Sequence, residues 1–120
     1  MYELLFWNYK DGFYLNHHLV YEAIAEAKIV DGLEEIQTQV ILNRIENKFA
    51  SWQKVDDFSY KNNSGKGAFH IRTTTQAMKI DCYGTEGKTM DQLVSILEEF
   101  HCVLYDPQVP ARYDEFFEDD

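Results

Sequence analysis

The chain has 120 residues, of which 45% are hydrophobic and 15% aromatic, and it carries a formal net charge of −10. This length suits one domain with its own core over residues 1–120, and the aromatic content argues against general disorder. Nucleic acids and anionic membranes repel such a chain, so neither is an expected partner, whereas basic proteins are favourable ones. Acidity also serves solubility, so charge alone does not establish a binding function.

The N-terminal segment, residues 2–9, is dense in β-forming side chains and predicts a first strand. Apolar residues occupy both faces, with Leu4 and Phe6 on one and Leu5 and Trp7 on the other, which is typical of a central strand. The segment lacks a basic n-region and is too short to span a bilayer, so a cytoplasmic location is predicted. The two cysteines are then expected to be reduced thiols.

Two helices are predicted next, over residues 17–29 and over about residues 34–49. Asn16 is a suitable N-cap for the first helix, whose apolar side chains recur at helical spacing. The start of the second helix stays open, because residues 34–39 are mostly polar and are compatible with a loop. An irregular strand is predicted to follow over residues 52–60.

A hairpin is predicted from two alternating runs, residues 68–73 and 77–83. Its apolar side chains must share one face, because a one-residue slip would invert one of the strands. The pairs that satisfy this condition are Phe69 with Ile80 and Ile71 with Met78. The opposite face then carries His70, Arg72, Lys79, Asp81 and Tyr83.

A third helix is predicted to begin at a capping box formed by Thr89 and Gln92 and to end at His101. A short last strand over residues 102–105 follows, and Pro107 ends it. The predicted order is β-α-α-β-β-β-α-β. The expected fold class is therefore α+β, with a single mostly antiparallel sheet and helices packed on one face.

Histidine and cysteine side chains form no predicted metal or nucleophile site. The spacing of Cys82 and Cys102 matches no zinc motif, and the hairpin register places Cys82 and His70 on opposite faces. Asp81, the neighbour of Cys82, raises rather than lowers a thiol pKa. We therefore predict no metal, no cofactor and no catalytic residue.

A small enzyme or a ligand-binding domain, with a pocket between sheet and helices, is an alternative. Its candidate side chains are His70, Arg72, Asp81, Tyr83 and His101. This alternative requires at least two of them to converge in a deep cavity.

The acidic C-terminal segment, residues 106–120, holds six carboxylates against one arginine, a net −5 of the total −10. Aromatic rings among carboxylates are typical of a surface that meets a basic protein, because the charges attract at long range and the rings are buried on contact. The sequence therefore predicts a non-enzymatic protein-binding module. The candidate contact residues are Asp114, Glu115, Phe116, Phe117, Glu118, Asp119, Trp7 and Tyr9.

Three aromatic residues, Trp7, Tyr9 and Tyr83, are predicted on the sheet face away from the helices. A face that mixes aromatic and charged side chains is typical of an interface, including that of a homodimer. Alternatively, the C-terminal segment covers this face, with Phe116 and Phe117 as anchors. The sequence leaves both possibilities open.

The segment CVLYDPQ at residues 102–108, with Arg112, Tyr113 and Asp114, has the character of a family motif. In size, acidity and α+β order the chain resembles the small immunity proteins of bacterial toxin–immunity systems. This resemblance implies a protein that blocks a basic toxin domain, since acidic side chains accelerate such an encounter and contribute to affinity.

Overall fold

The computed structural model describes residues 1–108 and, for the backbone, residues 111–113. These residues form one antiparallel sheet of seven strands in the order β2-β3-β4-β5-β1-β6-β7, together with three helices. The elements are β1 Tyr2–Trp7, α1 His17–Ala25, α2 Thr38–Lys48, β2 Gln53–Asp56, β3 Ser59–Lys61, β4 Ala68–Thr73, β5 Ala77–Tyr83, α3 Gly87–Glu98, β6 Val103–Asp106 and β7 Ala111–Tyr113. The predicted α+β class and element order are confirmed, with two additions: residues 53–61 supply two short strands rather than one, and β7 follows the predicted last strand.

Strand β1 is central, as its two apolar faces predicted, and it pairs with β5 on one side and β6 on the other. Leu4 and Phe6 enter a first core cluster, whereas Leu5 and Trp7 enter a second one on the opposite face of the sheet. The alternation of one strand therefore supplies both cores of the molecule.

The first core lies between the sheet and helices α2 and α3. Ile41 and Ile45 from α2 and Leu93 and Leu97 from α3 are each fully buried there. Burying each of these side chains stabilises the fold by about 1.5–3 kcal/mol. These two helices share one face of the sheet, as expected.

Helix α1 lies on the other face, where its Val20 packs with Trp7, Leu33 and Tyr105. The expectation that the helices share one face therefore holds for α2 and α3 and must be corrected for α1. The apolar stripe of a helix reveals that it is covered, but not which face of a sheet covers it.

The β4–β5 hairpin has the predicted faces but a register shifted by two residues. Phe69 pairs with Cys82 and Ile71 with Ile80, which corrects the predicted pairs while keeping every side chain on its face. In the observed register Gln76 lies in the turn between the two strands, outside the ladder. Its side chain bonds the backbone of the segment before α2, with Oε1 accepting from Val30 N at 2.8 Å and Nε2 donating to Val30 O at 2.9 Å.

Three predicted helix boundaries need correction, and one of them is the end of α3, which lies at Glu98 rather than at His101. Helix α1 begins at the Asn16 cap as predicted but ends at Ala25, because Ala27 adopts a left-handed conformation with φ of 59°. Helix α3 begins at Gly87, and Thr89 lies buried within its first turn, so the proposed capping box does not form. Helix α2 begins at Thr38, which resolves the open start in favour of a loop.

Candidate functional site: an aromatic groove and a polar strip

One end of the sheet contains a groove with a cavity volume of about 770 Å³, a size typical of binding sites. It lies between the loop of residues 8–14, the start of β6 and the last turn of α3. We call it the end groove and define it by six of its lining residues: Tyr9, Phe13, Tyr14, Val94, His101 and Leu104.

The loop that forms one wall of the end groove is held by the segment before α2. Lys10 N donates to Gly32 O at 2.9 Å, and Glu34 N donates to Asn8 O at 2.8 Å. Gly32 has φ of +101°, and a Cβ atom there would lie 2.7 Å from the Phe13 ring, so only glycine allows this contact. The aromatic wall is therefore fixed by long-range backbone contacts.

The aromatic side chains of this wall combine mutual packing with exposure. The rings of Tyr9 and Tyr14 stack with centroids 5.5 Å apart, and the Tyr9 hydroxyl donates to Leu15 O at 3.2 Å. Tyr14 is nevertheless 55% exposed and Phe13 is 44% exposed. Exposed rings held in fixed positions can bind a partner with little loss of side-chain entropy.

Both signs of charge occur at the rim of the end groove. Asp11 and Glu98 are exposed carboxylates, whereas Lys10 is a cation and His101 adds an imidazole ring. His101 follows α3 with φ of 63°, which turns the chain into β6. The rim can therefore accept both cationic and anionic groups.

The two cysteines do not contribute reactive groups. Desolvation raises the pKa of the Cys102 thiol to about 12, and desolvation followed by the charge of Asp81 raises that of Cys82 to about 11. Both are free thiols buried in the first core. They pack as small hydrophobic side chains.

A second candidate region lies on the sheet face that α1 leaves uncovered. We call it the polar strip, consisting of Glu3, Ser59, His70, Arg72, Lys79 and Asp81. Its members meet through cross-strand pairs, since Ser59 faces His70 and His70 faces Asp81. Ser59 Oγ lies 2.7 Å from His70 Nδ1, which is a hydrogen bond.

Asp81 is the charge centre of the polar strip. Its side chain is only 1% exposed, and its two oxygens lie 3.4 Å from Arg72 Nε and 3.8 Å from Lys79 Nζ. Lys79 Nζ also binds Glu3 at 2.6 Å. Burial disfavours the charged form of Lys79, but the Glu3 hydrogen bond and the Asp81 charge outweigh burial and raise its pKa. The strip is thus largely neutralised within the chain.

The structure brings together only some of the side chains that were candidates for the alternative pocket. His70, Arg72 and Asp81 meet in the polar strip and Tyr83 lies on the same strand and face, but His101 lies in the end groove. The end groove and a shallow depression between α2 and α3 are the two cavities described here. Neither is lined by any of the four residues His70, Arg72, Asp81 and Tyr83. Ser59, which sequence reasoning missed, completes a Ser–His–Asp row on an open sheet face rather than in a cavity.

The structure places the predicted protein-binding residues in different environments. Trp7 is fully buried beneath α1 and cannot contact a partner in this conformation, which corrects its assignment to a surface. Tyr9 is half-buried and lies in the end groove. The other six predicted contacts lie outside the described residues: Asp114, Glu115, Phe116, Phe117, Glu118 and Asp119.

Phe13 and Tyr14 were not predicted as site residues. The available signal was an aromatic pair directly after the Lys10-Asp11-Gly12 turn, where rings tend to be exposed. Within the described residues, no helix is long and apolar enough to cross a membrane. The same part of the chain contains no group of three or more side chains that could hold a metal ion.

No protein-family model matches the chain, and a search of curated proteins finds no relative.

Proposed function

We propose that this protein is a non-enzymatic binding module that engages a basic protein partner through acidic and aromatic surface. The observation that carries the proposal is the end groove, where Phe13 and Tyr14 are exposed beside Asp11 and Glu98. Rings held by the fold supply contact area, and carboxylates supply attraction at long range.

The balance of charge supports this proposal. The chain has 21 acidic and 11 basic side chains, and several of the basic ones are already paired within the fold. The paired cations include Lys28, Arg44, Lys54, Arg72 and Lys79. The outward field is therefore dominated by carboxylates, which favours encounter with a basic surface.

The proposed contact surface combines the end groove with Asp114, Glu115, Phe116, Phe117, Glu118 and Asp119. Tyr9 remains part of it, whereas Trp7 belongs to the core. An immunity protein that neutralises a basic toxin domain in the bacterial cytoplasm is the specific form of the proposal, and it rests on the resemblance in size, charge and element order.

Affinity capture from the native cell at low and at high salt tests the proposal. The bait is the full chain, compared with a variant that replaces four carboxylates by amides: Asp114→Asn, Glu115→Gln, Glu118→Gln and Asp119→Asn. We expect one basic protein to be captured by the wild type at low salt and to be lost with the variant, because screening and neutralisation remove the same attraction.

A control variant removes four carboxylates elsewhere: Asp56→Asn, Asp57→Asn, Glu86→Gln and Asp91→Asn. These side chains are exposed, so the control matches the change in net charge without altering the proposed surface. Capture must survive in the control. If both variants lost the captured protein equally, net charge alone would explain the loss and the proposed surface would have no specific role. The absence of any captured protein at low salt would contradict the proposal.

A further inference from the structure

The carboxylates of the end groove come from both of its walls. Asp11 lies on the loop of residues 8–14, and Glu98 is the last residue of α3 on the opposite wall. Val94 and Glu98 are four residues apart on the helix, so both lie on the face that lines the groove. Among the described lining residues, one ammonium group, that of Lys10, opposes the two carboxylates. These three groups together give the groove a net negative charge.

The end of α3 adds a further attraction for cations. The last carbonyl groups of a helix carry partial negative charge, which favours a positive group near them. Residues 95–98 form the last turn of α3 and include no lysine or arginine, so the helix itself supplies no such group. The helix end therefore favours a ligand of the same sign as the carboxylates do.

The exposed rings of the groove also favour a cation. Phe13 is 44% exposed and Tyr14 is 55% exposed, and both line the groove. The face of an aromatic ring carries partial negative charge, so it attracts a cation and repels an anion. Phe13 lies close against Gly32, and Tyr14 stacks on Tyr9, so the fold holds both rings in place. Rings, carboxylates and helix end thus all favour a positively charged ligand.

Among the cationic side chains of proteins, arginine matches this combination of groups best. Its guanidinium group is planar and weakly hydrated, so it can stack on a ring while its N–H groups donate to carboxylates. The ammonium group of lysine is compact and strongly hydrated, so it loses more hydration on entering an aromatic groove. The groove volume of about 770 Å³ leaves room for the aliphatic part of an arginine side chain and for neighbouring peptide units.

We propose that the end groove binds an arginine side chain of the basic partner, an assignment that rests on the proposed function. The guanidinium group stacks on the ring of Phe13 or Tyr14 and donates to the carboxylates of Asp11 and Glu98. The charge of Lys10 opposes this binding and limits its strength. The groove therefore distinguishes arginine from other side chains, in addition to attracting positive charge in general.

A titration followed by nuclear magnetic resonance on the labelled full chain tests this assignment. The probes are the acetylated and amidated tripeptides Gly-Arg-Gly, Gly-Lys-Gly and Gly-citrulline-Gly, in which citrulline replaces the guanidinium group by an uncharged urea of nearly the same shape. We expect the arginine peptide to give saturable changes in the amide chemical shifts of residues 8–14 and 94–104, with a dissociation constant on the order of millimolar. The lysine peptide should bind at least about 3-fold more weakly. The citrulline peptide should give no saturable change.

Three variants test the residues that the assignment names. Asp11→Asn/Glu98→Gln should weaken binding of the arginine peptide by at least about 3-fold, because both carboxylate partners are lost. The control Asp57→Asn/Glu86→Gln removes the same charge at exposed positions outside the groove and should change the affinity by less than about 1.5-fold at physiological salt. Lys10→Gln should strengthen binding by about 2-fold, and damage to the fold cannot produce such a gain.

Several outcomes would overturn the arginine assignment. One is equal binding of the arginine peptide and either of the other two peptides, because the guanidinium group would then have no specific role. Another is a response of the arginine peptide that is absent, or that lies only outside residues 8–14 and 94–104. Weaker binding after Lys10→Gln would also overturn it, since that result is expected of an anion site.

The arginine site and the proposed function fail in different ways. A chain that captures a basic protein at low salt but shows no groove response to the arginine peptide keeps the binding function and loses the arginine site. A groove that responds to the arginine peptide, in a chain that captures no partner at low salt, keeps the site and removes the function.

Discussion

The covered and uncovered halves of one sheet face differ completely in chemistry although the same strands run through both. On β1, Trp7 is fully buried beneath α1, whereas Glu3 belongs to the polar strip; on β5, Ala77 lies in the covered half and Asp81 in the strip. A nine-residue helix covers only part of a seven-stranded sheet. The remaining face is completed by paired charges rather than by a second apolar layer.

The largest effect is expected in the covered half. Replacing Trp7 by alanine leaves a cavity next to α1 and Tyr105. The ring centroids of Trp7 and Tyr105 lie 5.6 Å apart. We expect the free energy of unfolding in urea to fall by about 3–5 kcal/mol. Trp7→Phe, which keeps a ring, should cost clearly less. An alanine variant within about 0.5 kcal/mol of the wild type would show that α1 does not cover this half.

A smaller effect is expected at the centre of the polar strip. Asp81→Asn keeps the shape of the side chain but removes the charge that pairs with Arg72 and Lys79. Lys79 retains Glu3, so we expect a loss of about 1–2 kcal/mol in urea unfolding. The control is Glu46→Gln, which breaks the exposed Lys54–Glu46 pair and should cost about 0–1 kcal/mol. Equal costs for both would mean that the strip behaves as ordinary solvated surface.

The sequence predicted both faces of β1 and of the β4–β5 hairpin, because alternation is a local property of each strand. It could not predict the two-residue register shift, because both registers keep the apolar side chains on one face and alternation does not distinguish them. Nor could it place α1, since the apolar stripe of a helix is compatible with either face of the sheet. Trp7 was therefore assigned to an open surface that α1 in fact covers.

The hydrogen bond between Ser59 and His70 tests the strip at its edge. Ser59→Ala removes the 2.7 Å contact with Nδ1 of His70, and we expect a loss of about 0.5–1 kcal/mol in urea unfolding. Ser95→Ala, an exposed position on α3, is the matched control and should be neutral or slightly stabilising. A Ser59→Ala variant as stable as the Ser95→Ala variant would assign the contact no role in stability.

The smallest effect is expected at Tyr83, an aromatic residue on the uncovered part of the same face. It is 45% exposed, so Tyr83→Ser should change the free energy of unfolding by less than about 0.5 kcal/mol. The contrast with Trp7 is the sharpest form of the comparison, because sequence reasoning placed both rings on one open face. A loss of more than about 2 kcal/mol would show that Tyr83 is covered in solution.

The candidate site was less predictable than the fold. The sequence predicts an acidic surface with aromatic rings from the composition of the C-terminal segment, and because residues 114–120 lie outside the described part of the chain, this stays a prediction. It did not identify Phe13 and Tyr14, because their position depends on the close approach of the loop to Gly32, about twenty residues later in the chain. Contacts of this kind are set by tertiary packing and leave no local pattern.

The central proposal is that carboxylates of the end groove and of residues 114–119 attract a basic protein. The most direct test is the rate of association between the purified chain and the protein captured at low salt, measured at rising salt concentration. We predict a fall of about 10- to 1,000-fold from low to high salt, with most of that dependence lost in the four-amide variant and kept in its control. A rate that does not change with salt, or that falls equally in all three chains, would contradict the claim.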